Sequence, residues 1–396
     1  MDFSKKVSWE QGLFLQPQHL QVSDLHRDAV IAKLIKLTAD NFWGCDKLSL
    51  DSDSLQDDKI VVSSGTIVFR DGAIVEIGVN AQPVARSFSE TWENKSRDLD
   101  AYIGLKKLDE NGDNVTTVKS EIDAVGVKTR FVALEQPEQV KDIYSKGPDA
   151  YVKTQQYALN IIFGYEVEES ANYELVQIAR VRQNGGKNFI DTKFVSPSLN
   201  ITSSRGLYEI VKSIRDSLHT RARQLEIYKS TSAVEDVALQ NRRWMNLLAL
   251  QVFNRYIPAL TQVLNISPKS TSDAFGVLLQ IIGELKTFSH ETVMSGVDLN
   301  SPEPIQYNHH NPFESFELAR NVIFTLCDAV TLTPSQFYEL QYVNGIFAAD
   351  LPVNIFTPRT SYYLRMHSVN NDTKNMKAIG IDKRIKVGAV TNIDMI

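Results

Sequence analysis

Ser196-Pro197-Ser198-Leu199-Asn200-Ile201-Thr202-Ser203-Ser204 lies between two hydrophobic periods, and the change across it decides the fold class. Ahead of it, Leu175-Val176-Gln177-Ile178-Ala179-Arg180-Val181 closes a series of short strand-like runs. Behind it, Leu207, Ile210, Val211, Ile214, Leu218, Ala222, Leu225 and Tyr228 advance by three and four residues, as one face of a helix does. The Ser-rich stretch itself, with its Pro and Asn, reads as a linker.

Working back from the linker, the strand-like part reaches to about Lys59. Ile60, Val62, Thr66 and Val68 fall near alternation, Asp71-Gly72 follows, and Ala73, Val75, Ile77 and Val79 alternate cleanly. Asp-Gly between alternating runs is a hairpin signal. Tyr102-Ile103-Gly104-Leu105 runs into the turn Asn111-Gly112-Asp113-Asn114, and Val125, Val127, Thr129, Phe131 and Ala133 form a further period-two run. Leu159-Asn160-Ile161-Ile162-Phe163 continues the series, and the 175–181 run ends at Asn184-Gly185-Gly186. Short strands joined by turns predict an antiparallel, β-sandwich-like or barrel arrangement, because parallel pairs need long crossovers. One helix precedes them, with Leu25, Ala29, Leu34 and Leu37 among its apolar positions.

Working forward, three more helices are expected. Ser232 with Glu235 forms a capping box, Ser270-Thr271-Ser272-Asp273 opens a helix through Phe275, Leu278, Ile282 and Leu285, and Asn311-Pro312-Phe313-Glu314 opens another with Asn as its cap. The helix after Ser232 carries two apolar stripes. Met245, Leu248, Val252, Tyr256, Ala259 and Val263 form one; Leu247, Leu250, Phe253, Ile257, Leu260 and Leu264 form the other, roughly 130° away. Either one face meets another subunit, or the helix lies wholly within its own bundle. Pro258 is expected to kink it. Gly283 either permits close helix approach or is simply tolerated in its helix. After Val330, Thr331-Leu332-Thr333-Pro334 breaks the pattern, and Tyr362-Tyr363-Leu364-Arg365-Met366 and Ile385-Lys386-Val387-Gly388-Ala389-Val390 read as strands of a small α+β unit. The expected fold is therefore multidomain α+β: a β-rich part at 1–196, a helical bundle at 197–330 and a small unit at 331–396.

The chain has 396 residues, 43% of them hydrophobic and 23% charged, with a formal net charge of −6. At roughly 100–200 residues per domain this predicts two or three domains. The basic footprint of a general nucleic-acid binder is missing. The two cysteines, Cys45 and Cys327, are expected as buried thiols. No apolar h-region follows Met1, and no run approaches the roughly 18 apolar residues of a membrane span, so a soluble cytoplasmic protein is expected.

No phosphate loop, dinucleotide fingerprint, Cys-x-x-Cys pair or nucleophile elbow occurs. His309-His310 are adjacent and diverge on any regular element; His290-Glu291 lacks a second His, since Met294 holds that place. His19 and His26 lie about two helical turns apart. Asp109, Asn111 and Asp113 mimic a calcium loop, but Asn114 and Ser120 stand where its Gly and Glu belong. Asp51-Ser52-Asp53 with Asp57-Asp58 reads as a solvated acidic loop. No catalytic residue, metal site or cofactor is expected.

Val7-Ser8-Trp9-Glu10-Gln11-Gly12-Leu13-Phe14-Leu15-Gln16-Pro17-Gln18-His19-Leu20-Gln21 resembles the opening signature of the TssK family, baseplate subunits of bacterial type VI secretion systems. Leu20 stands where that family more often has Phe. In the family's order, Tyr173 to Val181 resembles its last shoulder strand and Phe194 to Leu199 its linker. Leu278 to Phe288 resembles its neck helix, and Tyr307-Asn308-His309 with Phe313 and Phe316 the start of its last neck helix. Two departures are Ser267-Pro268, where the family tends to carry His-Pro, and a short head ending at Ile396.

The resemblance implies a homotrimer with a β-rich shoulder similar to phage receptor-binding proteins, a helical neck and a small head. It implies that the shoulder joins the baseplate wedge (TssF, TssG, TssE) and that the head meets the membrane complex (TssM, TssL) at the inner face of the inner membrane. Trp9, Gly12, Phe14, Leu15, Pro17, Gln18, His19 and Gln21 are then expected to organise the shoulder or abut the wedge. Leu247, Leu250, Phe253, Ile257, Leu260 and Leu264 become the expected trimer interface. Two other readings stay open: a tail-fibre-like carbohydrate binder using Tyr102 or Tyr165, and a metal-dependent cytoplasmic enzyme using the 51–58 stretch.

Overall fold

Alternation in the first half folds as strands. The computed structural model describes residues 3–39, 41–92, 95–229, 237–265, 270–289, 291–302, 304–331, 341–343 and 346–349. Helix α1 (Pro17–Thr38) is followed by β1 (Gly44–Leu50), β2 (Lys59–Val68), β3 (Ile74–Ile77), β4 (Val84–Ser87) and β5 (Leu99–Lys106). Next come β6 (Val115–Val118), β7 (Phe131–Leu134), β8 (Glu138–Val140), β9 (Ala150–Val152) and β10 (Gln155–Tyr157). The series ends with β11 (Leu159–Phe163), β12 (Tyr173–Asn184) and β13 (Lys187–Ile190).

One sheet has the order β1-β2-β3 with β4 also on β2; a second has the order β11-β5-β12-β13. Alternate residues of both, including Ile60, Val62, Ile67, Val75, Ile103, Leu105, Ile161, Phe163, Val176 and Val181, enter one buried core. Period two puts those residues on the inward faces, and each fully buried Val, Ile, Leu or Phe contributes roughly 1.5–3 kcal/mol over an exposed one.

Three details differ from the sequence expectation: β1 lies ahead of Lys59, where the strand-like pattern begins in the sequence, and two more follow. The period-two run from Val125 extends only from Phe131, because Gly126 turns the chain at φ +77° and Val125 remains exposed. Among the antiparallel pairs, β6 and β7 run parallel, joined by the loop 119–130, which is long enough for a crossover without an α-helix.

The second half is helical. Helix α2 (Arg205–Leu225) buries Leu207, Ile210, Val211, Ile214, Leu218, Ala222 and Leu225. Helix α3 (Val237–Asn265) continues through Pro258, α4 is Thr271–Leu285 and α5 is Pro312–Thr331. Between α4 and α5 the short pair β14 (Val293–Met294) and β15 (Val297–Asp298) forms. The Ser270 hydroxyl caps α4 by accepting from the Asp273 amide at 3.1 Å. Asn311 acts differently: its side-chain amide donates to Glu314 at 3.3 Å instead of its carbonyl accepting a cap bond. These helices share a second core, centred on Phe253, Leu260, Phe275, Leu278 and Phe316.

The segment 196–204 is a packed strap. The Cys45 amide donates to Pro197 O at 2.7 Å, the Leu199 amide donates to Cys45 O at 3.1 Å, and the Thr271 hydroxyl donates to Ser198 O. Gly44 (φ +128°) allows this approach, since a Cβ there would overlap the Pro197 carbonyl. Cys45 and Cys327 are buried in the two different cores, and burial pushes both thiols up to about 12.

The chain divides into one compact unit, Met1–Thr331, and a second, Leu332–Ile396. In the second, β16 (Gln341–Val343) and β17 (Ile346–Ala348) pair antiparallel. The expected capping box at Ser232 and Glu235, the Ser267-Pro268 departure, His290, and the expected strands at 362–366 and 385–390 lie outside the described residues.

Candidate interaction surfaces

Helix α1 starts where the Pro-Gln-His signature predicts structure, and the geometry gives each residue a task. Pro17 holds the first helical position, where no N–H is needed. The Gln16 amide donates to His19 Nδ1 at 3.1 Å, so the imidazole takes the part a Glu plays in a capping box. Trp9 leans on that ring, 6.3 Å between centroids. Gly12 turns the arm at φ +86°, a region that favours glycine. His26 Nδ1 donates to Phe3 O at 2.9 Å, which ties the arm to the helix.

Neither the arm nor most of α1 is packed into the sheets. Trp9, Leu15, Pro17, Gln18 and Gln21 are exposed, and Phe14 is 80% exposed. On α1 only Ala32 is buried. It sits on Gly72 of the β2–β3 turn, where a Cβ would overlap the Ala32 methyl. The opposite face carries Val30, Ile31, Leu34 and Leu37, and Leu37 is 76% exposed. These positions follow helical spacing, so they form one continuous apolar face.

Helix α3 is the converse case. Leu250, Phe253, Leu260 and Leu264 of the expected trimer stripe are buried among their own helices, with Leu250 3% exposed, while Leu247 and Ile257 are half-buried. Because α2 and α4 pack against it, the buried part of this stripe lies inside its own bundle. Among the described residues of α3, the large apolar side chains that remain exposed are Trp244, Met245 and Leu248, the last 50% exposed. Periodicity identified both stripes, and from Val252 onward both are covered, since Val252, Tyr256 and Val263 of the other stripe are buried as well.

A third open feature had no signal in the sequence. Strands β8 and β9 pair only with each other, and every residue of both is exposed. At their tip Asp142 accepts from the Tyr144 and Ser145 amides at 2.9 and 3.0 Å, presenting Ile143 and a Tyr144 that is 99% exposed. Those bonds hold the Asp142 carboxyl below its ordinary value, the Ser145 hydroxyl contributing most.

The two cores meet at an aromatic joint. The Arg70 guanidinium lies 4.1 Å over the Trp43 ring, and the rings of His309 and His310 lie 4.8 and 5.0 Å from the same indole. His309 Nε2 donates to Trp43 O at 2.7 Å, and its Nδ1 is 2.7 Å from the Tyr307 hydroxyl. The Ser315 hydroxyl accepts from the Asn308 amide at 3.0 Å and donates to Gln306 O at 3.1 Å, pinning this loop to α5.

The other polar constellations close on themselves. Asp109 accepts from the Asn111 amide at 2.9 Å, while Asn114 accepts from the Asp109 amide at 2.8 Å. Asp51 accepts from the Asp53 amide at 3.0 Å, and Asp58 accepts from Asn188 at 2.7 Å. Tyr102 is half-buried on the outer side of β5, and Tyr165 packs against Phe163 at 5.9 Å. No group of three or more His, Cys, Asp or Glu converges among the described residues. Among these residues, too, no helix is long and apolar enough to cross a membrane.

Comparison with known proteins gives consistent matches. A family profile described as bacterial type VI secretion (EvfL, ImpJ, VasE) matches residues 19–396. The type VI secretion system baseplate component TssK1 of Pseudomonas aeruginosa is 26% identical over 344 residues, 83% of this chain and 71% of that protein. A crystal structure of TssK aligns with a TM-score of 0.68 at 20% identity, over 82% of this chain and 72% of that one. A chain of a TssK–TssF–TssG baseplate subcomplex, seen by cryo-electron microscopy, aligns at 0.67 and 19% identity, over 82% and 99%. At such identities these two alignments speak for a common fold.

Proposed function

The chain belongs to the TssK family of bacterial type VI secretion, and from that premise we propose that it is a structural adaptor within the baseplate, working by binding and not by catalysis. At the coarser level it is a TssK-like baseplate component. The finer reading is a homotrimer. Its β-rich shoulder (1–196) holds the wedge proteins TssF, TssG and TssE, its neck (197–330) joins three copies, and its head (331–396) reaches the membrane-complex proteins TssM and TssL. The working place is the cytoplasm, at the inner face of the inner membrane.

The observation that carries the wedge side is the arm-and-α1 surface. Phe14 and Leu15 on the arm and Val30, Ile31, Leu34 and Leu37 on one face of α1 are all exposed, and exposed apolar faces of that kind mark interaction sites. The TssK–TssF–TssG subcomplex, whose chain this one resembles in fold, supports TssF and TssG as the proteins that cover it. Three copies on one neck would present three such surfaces at fixed spacing, so each contact raises the effective concentration for the next.

Deleting residues 1–18, or making Phe14→Asp, tests the reading in the full-length chain. Thermal melting should stay within a few degrees of the parent, and capture of co-expressed TssF and TssG should fall at least tenfold. Capture at the parental level by a folded variant would remove the arm from the wedge contact.

A further inference from the structure

The joint between the two cores holds two histidines whose hydrogen bonds suit the neutral ring, and the contact of His310 with Arg70 admits no other. The Trp43 carbonyl can only accept, so His309 Nε2 carries the proton. In the neutral ring His309 Nδ1 is then a lone pair that receives the Tyr307 hydroxyl, which can also turn to accept. Arg70 can only donate, so His310 Nε2, 3.0 Å from Arg70 Nη2, is a lone pair as well. Both imidazoles and the guanidinium stand on one indole ring, and His309 is 6% exposed.

No described contact brings a carboxylate to either ring. The charged groups on the elements packed here are engaged elsewhere. Asp71 pairs with Arg130 at 2.8 Å, Asp46 accepts from the Ser203 hydroxyl at 2.8 Å, and Glu314 takes the Asn311 amide. The groups that do face the rings are Arg70 from the β2–β3 turn, Tyr307 from the loop ahead of α5, and the other histidine. None of them supplies negative charge, since burial holds the Tyr307 phenol protonated.

We propose that this joint is an acid-sensitive latch: protonating His309 and His310 releases the sheet side, Trp43 and Arg70, from the helical side. A proton on His310 Nε2 would point an N–H at the Arg70 N–H groups and set two cations together. A proton on His309 Nδ1 would face the Tyr307 hydroxyl and leave a buried cation without a counter-charge.

The direction of titration agrees. For His309, burial pulls the pKa below the ordinary histidine value, the Trp43 carbonyl pulls it partly back, and His310 and Arg70 lower it further. For His310, burial comes first and Arg70 second. A histidine depressed in the folded state binds fewer protons than when unfolded. Its stabilisation is therefore complete above the ordinary value of about 6.5 and is lost as pH falls toward the folded value.

Hydrogen exchange read by mass spectrometry on the full chain, corrected for intrinsic rates, tests this at pH 7.5 and 5.0. In the parent, exchange in segments 42–46, 196–200 and 305–311 should rise at least fivefold on acidification, and exchange in the core of α2 should not. His309→Gln with His310→Gln keeps a donor and an acceptor at each place but cannot take a charge, so the acid response should vanish. Arg70→Gln, which removes the facing cation, should shrink it at least twofold. An equal acid response in the folded double variant, or no response in the parent, would overturn the latch. Should the double variant not fold, the parent and Arg70→Gln comparison decides alone.

Discussion

Glu166 shows how one side chain ties the two sheets together. Its carboxylate accepts from Arg86 Nη1 and Nη2 at 2.7 and 2.6 Å and from the Phe163 amide at 2.9 Å, while Arg86 also donates to Ile161 O at 2.8 Å. Arg86 is on β4, and Phe163 ends β11 in the other sheet. The two-pronged geometry is stronger than a single ion pair, although both side chains remain partly exposed and the charge part is screened. Burial alone would raise the Glu166 pKa; the Arg86 and Phe163 donors outweigh it and leave it below its ordinary value. Glu166→Gln should lower stability by about 1–3 kcal/mol in urea denaturation at pH 7. Because the folded pKa is depressed, the parent's advantage exists above the unfolded Glu value and disappears as pH falls through the folded one. Denaturation curves of the two proteins should therefore converge at acid pH. A gap that persists there would assign the loss to packing.

At the scale of elements, α1 and α3 exchange the parts their sequences suggest. Both carry apolar residues on more than one side, and the period of a helix fixes which residues share a face but not what lies opposite. Leu250 is enclosed and Leu248 is open. Leu250→Asp should destabilise the bundle by about 4 kcal/mol or more, as an unpaired buried charge does, and Leu248→Asp should leave monomer stability within about 0.5 kcal/mol. Urea denaturation of both variants checks this, and equal losses would contradict the assignment of faces. What could be read in advance follows the same logic. Helix α2, with one clean stripe, was legible residue by residue, while β2, β5, β11, β12 and the start of α4 at Ser270 were legible as elements but not in their bounds. The hairpin β8–β9 was not, because its strands alternate nothing against a core. The Trp43–His309 bond, between residues 266 apart in sequence, leaves no spacing to read. The signature at Pro17–His19 was legible as a motif, and its work as a helix start became visible only when the Gln16 amide was found on the imidazole.

For the whole molecule, three open surfaces lie on the same folded unit: the arm with α1, the β8–β9 tip, and Trp244 with Met245 and Leu248. A lone soluble chain tends to keep such patches small, so this distribution fits a chain that works inside an assembly. If copies associate through Trp244, Met245 and Leu248 of α3, the covering contact is apolar and uses no residue of the arm, leaving the arm for the wedge. Light scattering on the purified chain at micromolar concentration should then give about three times its 44.6 kDa mass, and Leu248→Asp or Trp244→Asp should return it toward the single-chain mass without loss of helix signal. Capture of the wedge should fall with it, although the arm is intact, because linking sites raises avidity by roughly 10²–10⁴ over one site. Phe14→Asp should do the reverse, keeping the threefold mass while losing capture. A single-chain mass for the parent would remove the trimer, and unchanged capture by a dissociated Leu248→Asp variant would remove the avidity argument while leaving the arm contact standing.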